Sequence, residues 1–418
     1  GSFAARELAS PQSRVWVMER GREYALGEFP QDIGILPAHV RVQAQPGSDP
    51  IGYTDALMEV RRFDPVSVLV ANGLGGGSLI NAGVAVRPDA ALLDHPAWPA
   101  YYREAPEGRA ALWSAMAEVE SLLQVAPLED ARSLHKFKAL DTLGQSMGLR
   151  AEPAPLTIAS RDQTSPAGVA QKACTRCGNC FTGCNVGAKN TMVTHVLPDA
   201  HRQGARFVVG ATALEVLPAE HPLPRTPAGR AARWTVRMVA TQGQHHAATR
   251  REFLVHAHTV ILSAGALGST EILLRSAQVA ASPLLGARFS TNGDVLAMGW
   301  GMRAQVNGMA TPGADTGLLQ DPHERVGPTI TGILRASIPV PEGGTRTVLI
   351  EEGAIPSALT QVAVAIAATL SLPHRYTSRE GPGYFADDWK TDRLATPANM
   401  HRHAMLMLGM GPDDADGV

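Results

Sequence analysis

The chain has 418 residues, a net charge of −2 and 44% hydrophobic residues, which describes an ordinary folded protein and excludes a disordered one. There is no basic excess and no Lys/Arg-rich run, so nucleic acid is not an expected partner. No uncharged apolar run reaches about 18 residues, so no membrane-spanning helix is expected; the best stretch, Ala354 to Leu372, contains Pro356 and reads as a buried helix.

In chain order, the opening GSFAARELASPQSRVWVMERG predicts a helix followed by a strand. Ala4, Ala5 and Leu8 recur at helical spacing, and Val15 and Val17 alternate toward Glu19. In a dinucleotide-binding βαβ unit the last glycine of G-x-G-x-x-G opens the helix, and an acid about 20 residues on takes a ribose hydroxyl. Gly1 and Glu19 would hold those two places; an ordinary surface helix and strand is the alternative. The first strand and the earlier glycines are then expected before residue 1.

A strand-like stretch, Val66 to Val70, leads into Asn72-Gly73-Leu74-Gly75-Gly76-Gly77-Ser78-Leu79-Ile80-Asn81, then Ala82 and Gly83. Three consecutive glycines let backbone approach a ligand closely and aim N–H groups at phosphate or a flavin edge. A flexible linker is the alternative, but linkers do not run straight into apolar sequence. From Ala71 through Pro88 to Asp94 the chain resembles the first signature of the glucose–methanol–choline (GMC) flavin oxidoreductases. The match includes Gly75-Gly76-Gly77-Ser78, Asn81, Ala85 and Pro88. That resemblance implies FAD lying along Asn72, Gly73, Gly75, Gly76, Gly77 and Ser78, with Asn81, Ala82 and Gly83 beside the isoalloxazine ring. It also implies Gly1 near the pyrophosphate and Glu19 on the adenosine ribose.

The implied fold is α/β: a Rossmann-like FAD-binding domain with a parallel sheet, interleaved with an α+β substrate domain on an antiparallel sheet. The expected FAD-domain pieces are 1–30, 66–95 and 190–285; 31–65, 96–189 and 286–418 are expected in the substrate domain.

All four cysteines, Cys174, Cys177, Cys180 and Cys184, fall in one window with the spacing C-x2-C-x2-C-x3-C. This is the spacing of a bacterial iron–sulfur ligand run, although Asn185 and not Pro follows the last cysteine. Zinc sites pair two knuckles separated by a dozen or more residues, which fits poorly. The segment through Thr191 resembles a Cys-rich stretch of some GMC relatives. Two readings stand: a [4Fe–4S] cluster passing electrons from flavin to an external acceptor, or thiols or a local disulfide shaping a loop.

Further on, Gly204 to Val209 and Ala213 to Val216 look like the family's strand pair against the adenine, with the backbone near Ala213 as the contact. The stretch from Thr259 through Ser263, Ala264 and Gly265 to Ser269 resembles the buried strand and turn that return to the FAD. Gly286 to Asp294 resembles the crossing into the substrate domain of the cholesterol-oxidase-like bacterial branch. Residues 220 to 233, rich in proline and charge, read as a surface hairpin.

In the sterol-oxidising branch a strand end matching Val348 to Glu352 carries an active-site glutamate, and Glu351 falls nearest to it. The alternative is a solvated acidic pair at a helix start. His401 and His403, like His256 and His258, have H-x-H spacing, which puts both rings on one face of a strand. They precede the position of the family's catalytic histidine, which is expected beyond Val418.

The expectation is therefore oxidation of an alcohol, lipophilic or sterol-like, by hydride transfer to FAD, in a chain truncated at both ends and inactive alone. An iron–sulfur electron-transfer protein and a catalytically dead partial copy are the competing classes. A bacterial cytoplasmic location is expected, with a periplasmic one open because the chain does not start at Met.

Overall fold

Helix Ser2–Leu8 forms where alanines recur at helical spacing, and its small face decides what it meets. Ala5 and Ala9 pack against Ala200 and Ala205, beside helix Leu197–Arg202 and the strands that follow each helix. The computed structural model describes residues 1–64, 66–219, 231–241, 251–279, 282–311, 313, 325–339, 345–366, 400–413 and 417. Contacts divide the chain into one unit of Gly1–Ile80, Met192–Gly293 and Pro412–Val418, and another of Asn81–Thr191 and Asp294–Gly411. By this division residues 31–64 fall in the first unit and 81–95 in the second, whereas the expected pieces are 31–65 in the substrate domain and 66–95 in the FAD-binding domain.

In the first unit, strand Trp16–Met18 runs parallel to Arg206–Val208. Strands Val40–Val42, Met58–Arg62 and Ser67–Ala71 form a mixed sheet, the first pair parallel and the second antiparallel. A separate antiparallel sheet joins Ala211–Pro218, Trp234–Ala240 and Glu252–Ala257. Helix Gly265–Arg275 packs Ile272 against Val216, Val236 and Met238 of that sheet.

Two sequence expectations change here. Arg206–Val208 and Ala211–Pro218 do not pair with each other. Gly210, at φ +70°, turns the chain between them, and its N–H and that of Ala211 donate to the carbonyls of Gly21 and Glu19. Residues 259–263 join no strand among the described residues, although Val260 and Leu262 pack against the Val236 cluster. Of the 220–233 excursion, residues 220–230 lie outside the described residues, as do 367–372 of the expected apolar helix, whose described part is helical over 357–366.

The second unit is built on a five-stranded antiparallel sheet in the order Val295–Gly299, Met405–Met410, Thr345–Gly353, Gly332–Pro339, Glu152–Pro153. Helix His135–Ser146 lies on it through Phe137 and Leu140, which join Ile333 and Leu334 in the core. Two glycines permit that approach: a Cβ on Gly332 would stand 2.7 Å from the Phe137 ring, and one on Gly144 2.5 Å from Leu334.

Beneath the helix a charge pair is sealed from water. Lys136 and Glu352 are both 0% exposed, with Lys136 Nζ 2.8 Å from Glu352 Oε2. The ammonium also donates to the carbonyls of Pro328 and Thr329, and the other Glu352 oxygen accepts from the N–H and hydroxyl of Thr331. Every polar atom of the pair is engaged. Removing one partner leaves the other charge buried and uncompensated, at a cost of about 3–5 kcal/mol. Lys136→Met is therefore expected to lower unfolding stability by about that amount in urea titrations. Adding Glu352→Met should restore most of it; a double variant no more stable than the single one would contradict this account.

Candidate functional site

Strand Trp16–Met18 ends at Glu19, whose N–H still donates to Val208 O at 2.8 Å. Its carboxylate accepts the N–H of Gly21 at 2.8 Å. Burial pushes the Glu19 carboxyl up from its ordinary value, and the N–H of Gly21 and the charge of Arg20 oppose that. An acid at the carboxyl end of a parallel strand stands where α/β sheets bind ligands.

The glycine loop is laid directly on this turn. A Cβ on Gly21 would stand 2.4 Å from the nitrogen of Gly73 and 2.6 Å from the carbonyl carbon of Asn72. Leu74 N donates to Arg22 O at 3.0 Å. Asn72, 3% exposed, donates through Nδ2 to Ala56 O and accepts from Arg20 Nε at 3.0 Å. Arg20 in turn pairs with the buried Glu59 at 2.7 Å, and Arg61 pairs with the same carboxylate at 2.8 Å. Burial opposes ionisation of Glu59, but Arg20, Arg61 and Arg41 outweigh it and hold the carboxyl below its usual value.

Beyond Gly75, at φ +107°, a short turn spans Gly76–Leu79. Ser78 closes it, donating to Gly75 O at 2.8 Å and accepting Met192 N at 3.0 Å. A Cβ on Gly76, Gly77 or Gly265 would meet nothing within 4 Å, whereas one on Gly1 would stand 3.1 Å from Ser263. Ala264 N is held by Ser269 Oγ at the start of helix Gly265–Arg275. Ala213 lies at an irregularity in strand Ala211–Pro218, two residues past the Ala211 N–H that donates to Glu19 O.

Of the expected cofactor residues, Gly1, Glu19, Asn72 to Ser78, Ala213 and Ser263 to Gly265 belong to the first unit. Asn81, Ala82 and Gly83 belong to the second, where Asn81 O accepts from Lys189 Nζ and Gly83 O from Thr157 N at 2.7 Å. Ala82 packs on that unit's core. The open faces of Gly76, Gly77 and Gly265, together with an acid at a strand end, are the features a dinucleotide cofactor needs.

The four cysteines are unbonded thiols that line a single pocket with Gly178, Asn179, Gly183 and Lys189. Their loop is fixed on all sides. Arg176, at φ +63°, pairs with Asp130 at 2.9 Å, and its carbonyl accepts from Val326 and Gly327. Asn179 Oδ1 accepts Ser357 N at 2.8 Å, and a Cβ on Gly178 would stand 2.7 Å from Val326. Burial, then the neighbouring thiols, pushes Cys177 up to about 12 and raises Cys174 and Cys184. Among the described residues no group of three or more His, Cys, Asp or Glu side chains is arranged around a single ion. A cluster makes a different demand, since its thiolates attach to separate irons around a larger body and line a pocket rather than converge. The four thiols match a cluster in number and in their spacing along the chain.

Glu351 overturns the solvated-pair alternative. Burial along Thr345–Gly353 increases toward its end, and Glu351 and Glu352 are both 0% exposed. Successive strand residues point to opposite faces. Glu352 takes the face toward Lys136, and Glu351 takes the other. Among the described residues neither Glu351 oxygen has a hydrogen-bond partner. Burial, with the nearby carboxylates of Glu352 and Asp294, raises its carboxyl to about 7. His401 and His403 lie in a turn before strand Met405–Met410, with His403 Nδ1 at 2.9 Å from Met302 O. His256 is exposed on strand Glu252–Ala257, one residue before its end and beside Thr235, and His258 follows that strand.

Sequence reasoning missed Arg20 and Glu59, which hold the glycine loop, and the buried Lys136 and Lys189. Lys189 had one available signal, its place just after the last cysteine in Gly187-Ala188-Lys189-Asn190.

Comparison with known proteins agrees with this geometry. Residues 60–292 match the family model described as GMC oxidoreductase, and the chain belongs to that family, whose members bind FAD. It is similar to a cholesterol oxidase of Acinetobacter baumannii, 25% identical over 312 residues that cover 70% of this chain and 52% of the relative. It is also similar to a cholesterol oxidase of Mycobacterium tuberculosis, 27% identical over 291 residues covering 66% and 46%. The chain spans about half the length of the curated relatives it matches. No helix among the described residues is long and apolar enough to cross a membrane.

The glycines differ in what they tolerate. Gly21→Ala forces a methyl into backbone and should prevent the loop from seating, seen as loss of both flavin and cooperative unfolding. Gly77→Ala adds a methyl to open space and should leave the thermal midpoint within about 2 °C while weakening FAD binding at least about tenfold in fluorescence titration, roughly 1.4 kcal/mol. Unchanged FAD affinity in Gly77→Ala would remove the loop from the cofactor site.

Proposed function

We propose that the chain belongs to an FAD-dependent enzyme that oxidises a lipophilic, sterol-like alcohol, with Glu351 as an acid–base group of the substrate-binding unit. The single observation carrying this is a buried carboxylate whose oxygens have no hydrogen-bond partner among the described residues and whose carboxyl is raised to about 7. A group so poised exchanges protons near neutrality. Oxidation of the alcohol breaks its carbinol C–H and its O–H and forms C=O. FAD, when bound, accepts the hydride, and a protein base must take the hydroxyl proton. The family's histidine base is assigned to none of the described residues, and Glu351 is the acid–base group that this unit supplies.

The test uses the flavin-loaded protein, assayed on sterols and on short alcohols. Only an ionised carboxylate accepts a proton, so its kcat/KM should fall as pH drops through about 7. Glu351→Gln should reduce it about 100-fold and abolish that limb while keeping the flavin absorbance. Wild-type turnover in Glu351→Gln would remove Glu351 from the reaction, and a flavin-free preparation would sink the whole reading.

The cysteine pocket supports a second component. Cys174, Cys177, Cys180 and Cys184 would hold a [4Fe–4S] cluster able to pass single electrons to an external one-electron acceptor, making the enzyme a dehydrogenase.

A further inference from the structure

Among the described residues, one basic side chain lines the cysteine pocket. Lys189 lines it with the four cysteines, is 2% exposed, and donates from Nζ to Cys180 O at 3.1 Å and Asn81 O at 2.5 Å. Its backbone is fixed by a bridge to Ile158, and Ala159 N donates to Ala188 O at 2.8 Å. A second buried lysine, Lys136, is also near Cys174 and Cys180, but its ammonium is held by the Glu352 carboxylate at 2.8 Å.

Taking an ammonium out of water is costly unless negative charge meets it. A cluster on four thiolates is anionic and becomes more so on reduction. Net charge and hydrogen bonding around the sulfurs are what set cluster potentials. A fixed cation on the pocket wall favours the reduced state.

We propose that Lys189 is a positioning and charge-setting residue for the group held by Cys174, Cys177, Cys180 and Cys184, raising its reduction potential. The inference rests on the cluster reading, and the experiment separates the two. The full chain is prepared anaerobically with FAD, analysed for iron and sulfide, and titrated potentiometrically with EPR detection. Wild type, Lys189→Gln and Lys189→Arg are compared.

All three are expected to hold iron. Lys189→Gln, which removes the charge and keeps a donor, should shift the reduction equilibrium about tenfold toward the oxidised form, about 59 mV for one electron. Lys189→Arg should stay near wild type. Iron-free wild type that retains flavin would end the cluster reading itself. Iron-loaded Lys189→Gln with the wild-type potential would overturn the role of Lys189 and leave the cluster standing. Should Lys189→Gln fail to hold iron, Lys189→Arg decides: retained iron supports the charge, and its loss there overturns the assignment in favour of a packing role.

Discussion

Gly21 and the peptide between Asn72 and Gly73 lie so close that no side-chain carbon fits between them. That contact joins two segments 50 residues apart in sequence: the turn after the first strand, and the loop that opens with Asn72. Everything else in the candidate flavin site follows from it. Arg20 and Asn72, one on each side, hydrogen-bond to each other, and Glu59 anchors Arg20 from the neighbouring strand. Glu19 is thereby fixed at a strand end while the faces of Gly76 and Gly77 stay open. The ions form a buried network whose strength comes from geometry: one carboxylate against three guanidiniums, with a neutral amide closing the end. Removing the amide would leave Arg20 facing fewer acceptors in a region with little water, so Asn72 serves the loop as much as any glycine does.

The second unit depends on an analogous constraint handled with charge. A lysine and a glutamate, 216 positions apart in the chain, meet beneath a helix and satisfy each other along with three backbone groups and a hydroxyl. Burying such a pair stabilises little by itself, because desolvation offsets the attraction. What it does is fix register. Glu352 can reach Lys136 only if the strand Thr345–Gly353 presents that face to the helix, and alternation then commits Glu351 to the other face.

The glycine loop was legible because its chemistry is local. Consecutive glycines imply close backbone approach whatever the fold, and their order before Asn81 carried the family resemblance. The helix and strand at the start were legible from periodicity for the same reason. The strand pairing around Ala213 was not, because Gly210 reverses the chain there and the partner of Arg206–Val208 is a strand nearly 200 residues earlier. The burial of Glu351 was also invisible. A Glu-Glu pair before a proline and a helix reads locally as a solvated helix start, and only the packing of both sheet faces removes it from water. Lys136 and Lys189 escaped for a general reason: composition treats a lysine as surface, and the groups that make its burial tolerable lie far along the chain.

Adjacent residues Glu351 and Glu352 show how one strand end can serve structure and chemistry together. The same backbone bonds position both side chains, and both lose water. One meets an ammonium, and the other meets no hydrogen-bond donor among the described residues. Burial raises the Glu352 carboxyl, and the ammonium and the Thr331 donors oppose that rise, whereas at Glu351 burial and the carboxylates of Glu352 and Asp294 all act upward and bring it to about 7. Glu352 also contributes to the rise at Glu351, since a second negative charge one residue away disfavours the first. The structural pair therefore tunes its neighbour, and the strength of that tuning depends on how fully Lys136 neutralises Glu352. A fold that fixed Glu351 without its paired neighbour would hold a carboxylate of the same burial but a lower affinity for its proton.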